Sequence, residues 1–390
     1  MAAVRKLHAK EDRRLRAFGA DEGLDIPFLV LLLTLLAVGL VMLYSASYAQ
    51  SEFDTGYIVS TRYLQKQAAS GVIGLLAMFV LSRVPVGFWL KMAWPLYWVS
   101  VALLLSVLVF GQSVNGAKRW INIAGLQFQP SEIAKFTLIL LFARLTKGFG
   151  PSVRQFRKGV LGFACALLGI LIPLALEKHL SAIMLMGMVA VIMMFVAGTH
   201  PKWLLAGAGV AVAFVLVYIT FMGYAGDRVT AWLQPESDPR DTGYQILQSL
   251  YAIGSGGVFG LGLGKSRQKY LYLPFQYNDY IFAVICEELG LVGALLIVLL
   301  FAALILRGYW LALRAADRFS TVFAAGLVTL IAVQTILNLS VVTNLLPSTG
   351  IALPFFSYGG TALAVNLAEM GIVLGISRQQ NFPAHQEALE

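Results

Sequence analysis

The chain has 390 residues, 58% of them hydrophobic and 13% charged, with a mean hydropathy of +0.76 and a formal net charge of +9. A soluble globular protein carries about 25% charged residues, so these values exclude one. The basic residues are scattered between apolar stretches rather than gathered in one domain, which argues against nucleic acid and for membrane orientation and contact with anionic lipid.

Apolar stretches of about 20 residues recur along the whole length, as in an all-α polytopic membrane protein with about ten transmembrane helices. Residues 1–26 are polar, with Arg5, Lys6, Lys10, Arg13, Arg14 and Arg16. The apolar run at 28–44 is longer than the roughly 7–15 residues of a signal-peptide core and follows a long polar lead, so it reads as an uncleaved first span. Further spans are predicted at 67–82, 94–111, 131–146, 159–176, 180–198 and 203–222, then at 280–306, 320–343 and 354–377. No pair of interrupted helices in corresponding halves is legible. An even number of spans leaves both termini on one side. If that side is the cytoplasm, it also holds Arg144, Lys147, Arg154, Arg157, Lys158, Arg307, Arg314 and Arg318, as the positive-inside rule requires. The expected organisation is a basic cytoplasmic segment at 1–26, a membrane domain at 27–378 and a cytoplasmic tail at 379–390, in a bacterial-type inner membrane.

Residues 223–279, between the seventh and eighth spans, then form one long extracytoplasmic loop. Loops of this length are functional or disordered. Trp232, Tyr244, Ile246, Leu247, Leu250, Tyr251, Ile253 and Tyr270 give this one enough apolar surface to pack, so it is expected to fold back on the membrane.

Several motifs fail on inspection. Gly264-Lys265-Ser266 resembles the end of a phosphate-binding loop, but the pattern needs glycine where Phe259 stands. The glycines from Gly254 to Gly264 suit tight turns or close helix approach instead. His8, His179, His200 and His385 are dispersed without zinc-ligand spacing, and Cys165 and Cys286 lie in separate apolar segments, so neither a metal cage nor a disulfide is expected. Asn338-Leu339-Ser340 has the form of a glycosylation sequon but falls inside a predicted span.

Charges at membrane depth are costly and mark function or structural pairing. Glu132 and Lys135 stand at i and i+3, close enough on a helix to pair, as a clamp or as a cavity wall. Lys118, Arg119 and Trp120 precede them at the interface, either as an anchor or as a site whose cations meet a pyrophosphate and whose indole meets a sugar ring. Trp89, Trp94 and Trp310 suit interfacial anchoring. Asp279 stands just before the eighth span, where it is either a helix N-cap or a general base. Glu287 and Glu288 lie about 12 Å deeper, as buried acids or paired structural groups.

Four strings together resemble one family. They are Asn115-Gly116-Ala117-Lys118-Arg119-Trp120-Ile121 with Gln129-Pro130-Ser131-Glu132, Gln248 through Gly257, Leu273 through Gly290 around Asp279, and Leu346-Pro347-Ser348-Thr349-Gly350 running to Pro354-Phe355-Phe356-Ser357-Tyr358-Gly359-Gly360. The chain is similar over nearly its whole length to the SEDS family (shape, elongation, division and sporulation), and more to its FtsW branch than to RodA. The resemblance implies ten transmembrane helices and a peptidoglycan glycosyltransferase that polymerises lipid II outside the cytoplasmic membrane with a class B penicillin-binding protein and other division or elongation proteins. Asp279 matches the family's essential aspartate, Glu132 and Lys135 its intramembrane ion pair, Lys118 and Arg119 its basic residues after the third helix, and Ser357 and Tyr358 its signature before the last helix. Two departures stand out. Phe275, Tyr277 and Asn278 replace a usual Glu, His and Thr before the aspartate, and Lys178-His179-Leu180-Ser181 replaces a usual Pro-Asp-Leu-Gly.

The mechanism this implies has Asp279 deprotonating the acceptor sugar's 4-hydroxyl as it displaces the donor's lipid pyrophosphate, with inversion. Lys118 and Arg119 stabilise the leaving charge, with Arg267 and Lys269 as reserves. A divalent cation, Mg or Mn, shared between Asp279 and the diphosphate is compatible with this scheme. The alternatives are a flippase for the same lipid precursor, or a non-catalytic scaffold of the division machinery that docks through its basic N-terminal segment.

Overall fold

The computed structural model describes residues 24–114, 117–123, 126–207, 209, 230–237 and 243–378. The basic residues of 1–23, most of the predicted span at 203–222 and the tail at 379–390 lie outside that set. The described helices are α1 (Ile26–Asp54), α2 (Arg62–Leu81), α3 (Val86–Phe110), α4 (Pro130–Phe149), α5 (Gly162–Leu176), α6 (Leu180–Val196), α7 (Tyr244–Gly256), α8 (Ile281–Leu313), α9 (Arg318–Val342) and α10 (Gly360–Arg378).

Local sequence explains several helix starts. Asp25 accepts a hydrogen bond from Phe28 N at 2.9 Å and Pro27 opens α1, while Asp317 caps α9 through Ser320 N at 3.2 Å. Pro130 opens α4, whose Glu132 and Lys147 sit at the ends the helix dipole favours. Among the described residues seven helices are long and apolar enough to cross a membrane: α1, α2, α3, α5 with the π-helical turn Arg157–Leu161 before it, α8, α9 and α10. Two others coincide with predicted spans but are less apolar or shorter. Helix α4 carries Glu132, Lys135, Arg144 and Lys147, and α6 has only 17 residues, about 26 Å of helix against a hydrocarbon core of about 30 Å.

Helix α9 is the axis of the bundle. It packs against α4, α6, α8 and α10, and Phe319, Phe323, Leu327, Leu330 and Ile331 along it are buried. Trp89, expected at the interface, is instead buried against Phe88, Phe136 and Phe323.

Four details differ from the sequence reading. Helix α1 continues past 44 to Asp54 because Ser45, Ser47 and Ser51 are buried by neighbours that a hydropathy window does not see. Helix α10 begins at Gly360, not 354, because Phe355 takes a φ of 66° in the turn before it. Between α3 and α4 lies a small antiparallel sheet, β1 (Gln112–Val114), β2 (Ala117–Ile123) and β3 (Leu126–Phe128), in the order β1-β2-β3. Its sequence signal was the hairpin dipeptide Asn115-Gly116 between short alternating runs. Finally, α8 breaks at Gly290, where φ is 66°.

That break is filled by the glycine-rich stretch after α7. Leu261 N and Gly262 N donate to the carbonyls of Glu287 and Glu288 at 2.9 and 3.0 Å, and Leu291 N and Val292 N donate back to Gly257 O and Val258 O at 3.0 and 3.1 Å. A backbone interrupted inside a span must be satisfied by other backbone. The approach is so close that a Cβ on Gly260 or Gly290 would lie 2.2 or 2.3 Å from a main-chain atom.

At the end of the bundle where α1, α3 and α9 begin, basic side chains are tied down. Arg307 pairs with Asp25 at 2.6 Å, Lys147 with Asp317 at 3.1 Å, Arg318 donates to Ala197 O at 2.6 Å and Arg144 to Leu90 O at 2.6 Å. Arg307 and Arg314 also stack over the Trp310 ring, 3.9 and 3.7 Å from its centroid. Cys165 and Cys286 are free thiols.

Candidate active site

At the opposite end, segments far apart in the chain converge on Asp279. The residue is partly buried, and α8 has its N-cap at Tyr280, so Asp279 stands one position before the cap. Its main chain is clamped from α9, where the Asn338 amide donates to Asp279 O at 2.7 Å and to Ile351 O at 2.8 Å. One buried side chain thus ties the aspartate's loop to the segment that follows α9. Gly350 in that segment has a φ of +68°, and a Cβ built there would lie 3.7 Å from Asp279 Oδ2. The backbone therefore passes directly beside the carboxylate.

The same segment reaches a second group. Ser181 Oγ, at the start of α6, donates to Thr349 O. Two residues back along that turn, His179 is buried, and Arg119 Nη2 on β2 donates to Lys178 O at 2.7 Å. Asp279, Gly350, Ser181, His179 and Arg119 are linked in this way, although they come from four separate stretches of chain. Burial pushes the Glu177 carboxyl up to about 8, against the opposing pull of Arg119. Burial, with Arg119 and Lys135 adding to it, pushes His179 down to about 3. At neutral pH both groups are uncharged beside a fixed guanidinium.

Tyr277 joins an aromatic trio. Its ring lies 4.5 Å from that of Tyr63, which lies 4.9 Å from Tyr358, and Tyr358 N donates to Tyr277 O at 2.9 Å. Tyr63 Oη donates to Asp54, and Gln67 brackets the 357–359 turn by donating to Ser357 O and accepting from Gly359 N, both at 3.0 Å. The ends of α1 and α2 thereby hold the loop that carries Asp279.

The other residues singled out in the sequence divide into groups. Glu132 and Lys135 form an ion pair at 2.7 Å, buried in the bundle. Glu369 of α10, 1% exposed, lies close enough to feel both charges and was missed in the sequence reading. Trp120 is half-buried on β2, whereas the Lys118 side chain lies outside the described set. Arg267 is exposed, with its main-chain N held by Glu287 at 2.9 Å. Lys269 is turned inward, 2% exposed, with its ammonium 3.1 Å from Glu288, so it does not face a substrate. Ser357 is buried and its Oγ accepts from Leu353 N at 2.8 Å, while Tyr358 belongs to the trio. Glu287 and Glu288 are structural: Glu287 accepts from Ser266 Oγ and the main-chain N of Arg267, and Glu288 from Ser45 Oγ at 2.7 Å and Lys269. Among the described residues no three His, Cys, Asp or Glu side chains are grouped to hold a metal ion.

The model of the FtsW, RodA and SpoVE family of cell cycle proteins matches residues 26–382. The chain belongs to this family. It is 39% identical over 361 residues to a probable peptidoglycan glycosyltransferase FtsW of Geobacter metallireducens, covering 91% of this chain and 95% of the relative. It is 35% identical over 364 residues to the stage V sporulation protein E of Bacillus subtilis, covering 92% and 98%. Among solved structures it resembles a chain of a peptidoglycan synthase complex that coordinates polymerization and crosslinking, with a TM-score of 0.78, 29% identity, and coverage of 92% and 99%. It also resembles the rod shape determining protein RodA of Thermus thermophilus, with a TM-score of 0.68, 28% identity, and coverage of 92% and 98%. These family members are polytopic helical membrane proteins, as the seven long apolar helices require of this chain.

Proposed function

We propose that the protein is a peptidoglycan glycosyltransferase of cell division or sporulation that polymerises lipid II at the outer face of the cytoplasmic membrane, with Asp279 as general base. The observation that carries this reading is the convergence of Asp279, Gly350 and the turn at 177–181 with the Arg119 that donates to it, at one end of a membrane bundle. A neutral sugar hydroxyl is a poor nucleophile. A carboxylate that accepts its proton as the new bond forms raises the rate by roughly 10²–10⁴. The acceptor's 4-hydroxyl attacks the donor's anomeric carbon, its proton passes to Asp279, and the lipid pyrophosphate leaves from the opposite face, inverting the centre. Arg119, with Lys118 and Arg267, meets the charge that develops on the leaving diphosphate, and such donors matter most in the transition state. Trp120 offers an apolar face to a sugar ring. The lipid tails reach the site sideways between helices.

Asp279 with a substrate diphosphate would suffice to hold a divalent cation, which would add charge neutralisation at the leaving group. The basic residues tied down at the other end of the bundle support cytoplasmic termini and an inner-membrane orientation. A class B penicillin-binding protein is the partner that this reading requires to cross-link the strands.

The test is lipid II polymerisation by purified protein, with and without a cognate class B penicillin-binding protein, comparing wild type with Asp279→Asn. Glycan strands made by wild type and lost in the variant support the assignment. An active Asn variant refutes Asp279 as base. Wild type that makes no strands even with its partner, yet moves labelled lipid II across liposomes, gives the function to a flippase.

A further inference from the structure

A cavity of about 340 Å³ opens between α3 and α4 at the end of the bundle away from Asp279, walled by Leu90, Trp94, Arg144, Lys147 and Phe149. Its depth is set by the helices. Helix α3 has 25 residues, about 37 Å, which exceeds a hydrocarbon core of about 30 Å. The excess of about 7 Å puts at most its first turn among headgroups. Leu90 lies about 6 Å from its start, at the edge of the hydrocarbon, and Trp94 about 12 Å from it, one turn deeper.

The cavity's chemistry is selective. At this end Arg307 is held by Asp25, Arg314 stacks on Trp310 and Arg318 donates to Ala197 O. Arg144 faces the cavity. Its Nη1 donates to Leu90 O at 2.6 Å, which fixes the guanidinium at the cavity wall, and among the described residues no carboxylate lies within ion-pair range of it. Its charge is therefore positioned and uncompensated. Lys147 adds a second cation whose pairing with Asp317 is half-exposed and weak. Trp94, 39% exposed, supplies an aromatic ring one turn below Leu90, and Leu90 and Phe149 supply apolar wall.

We propose that this cavity is a binding site for the phosphate of an anionic phospholipid headgroup. The free N–H groups of Arg144 fork onto the phosphate oxygens, Lys147 meets them from the side, and Trp94 lies one turn deeper. The phosphate is the element recognised, so inorganic phosphate shares the chemistry, and the lipid adds the apolar contacts. The inference does not depend on the reaction at Asp279, which lies at the other end of the molecule.

The test is native mass spectrometry of the full-length protein released from detergent with defined phosphatidylglycerol or phosphatidylcholine, with inorganic phosphate as competitor. Both lipids carry the phosphate, but the choline ammonium of phosphatidylcholine is repelled by Arg144 and Lys147, so phosphatidylglycerol is expected to be retained over it by roughly tenfold, and Arg144→Gln should abolish the preference. Gly148→Leu provides a second variant that leaves both cations in place. Gly148 lines the cavity, and a Cβ there meets nothing within 4 Å, so the larger side chain fills the space without disturbing the helix. It too should lose the preference, with an unchanged melting temperature. Equal retention of the two lipids, or a preference that survives both variants, overturns the proposal. Retention of inorganic phosphate without any preference for phosphatidylglycerol overturns the lipid as its source.

Discussion

Asp279 and the pair Glu287–Glu288 lie within ten residues of one another, and their surroundings are opposite. Each of the two glutamates is saturated: hydroxyls, main-chain N–H groups and the Lys269 ammonium satisfy them in a sealed part of the bundle. Asp279 is held chiefly through its backbone, by Asn338, while a glycine leaves room beside its carboxylate. Under the proposed function, acids so near each other in the chain have different roles, Asp279 as base and the two glutamates as structural groups. The two glutamates are held through their side chains, whereas the main chain of Asp279 is clamped from α9.

The largest effects should expose this contrast directly. Asp279→Asn is isosteric and leaves the Asn338 clamp intact, so polymerisation should fall by roughly 10²–10⁴ with the melting temperature nearly unchanged. Glu288→Gln should do the reverse. It leaves Lys269 buried without its counter-charge, and breaking a buried pair costs about 3–5 kcal/mol. Thermal melts and specific activity of the two variants, measured side by side in detergent, check the pairing. An Asp279→Asn protein that melts far below wild type would show the carboxylate to be structural after all.

Gly290→Ala comes next. A Cβ at Gly290 would lie 2.3 Å from Gly260 N, and the backbone there is left-handed, so both strain and clash oppose it. Expression yield or melting temperature should drop by an amount comparable to the loss of a buried ion pair, and Gly148→Ala, at an open position, serves as the control. Asn338→Ala should be milder. It removes two hydrogen bonds to carbonyls and leaves those acceptors buried, a cost of about 1–3 kcal/mol. Because Asn338 is a positioning residue, the loss should appear in kcat for polymerisation while lipid II binding is retained. A uniform loss of both would mean that it only supports the fold.

Much of this architecture was legible because its determinants are local. Apolar runs gave the spans, and the glycines of 254–264 pointed to close backbone approach, which the junction with the α8 break bears out. The sheet at 112–128 was missed because a hydropathy reading favours long runs, although Asn115-Gly116 carried a hairpin signal. The site's supports were missed for another reason. Gln67, Asn338 and Tyr63 act across separations of more than 50 residues, so no spacing rule joins them to Asp279. A polar residue inside an apolar span was the available signal, and it would have marked Gln67, Asn338 and Glu369. Asn338 had been noticed only for its glycosylation pattern, which its burial makes irrelevant.

The smallest expected effect concerns the neutral groups beside Arg119. Glu177 has its folded pKa raised to about 8 from an ordinary value of 4.5, so between those values the folded state holds a proton that the unfolded state has released. Its contribution to stability is therefore full below about pH 4.5 and is lost as pH rises toward 8. His179, lowered to about 3 from 6.5, works the other way, and its contribution grows as pH rises through that lower range. The two slopes oppose each other between pH 4.5 and 6.5, and of these two groups only Glu177 acts between 6.5 and 8. Over that window the apparent stability should fall by on the order of 1–2 kcal/mol, and Glu177→Gln, which cannot ionise, should flatten the trend. Melting curves of both proteins across this range decide the point. A wild-type slope that persists in the glutamine variant would mean that another group carries it, and that Glu177 is already paired as a carboxylate with Arg119. In that case the guanidinium would be neutralised before any diphosphate arrives, and the part given to Arg119 at the leaving group would have to pass to Arg267.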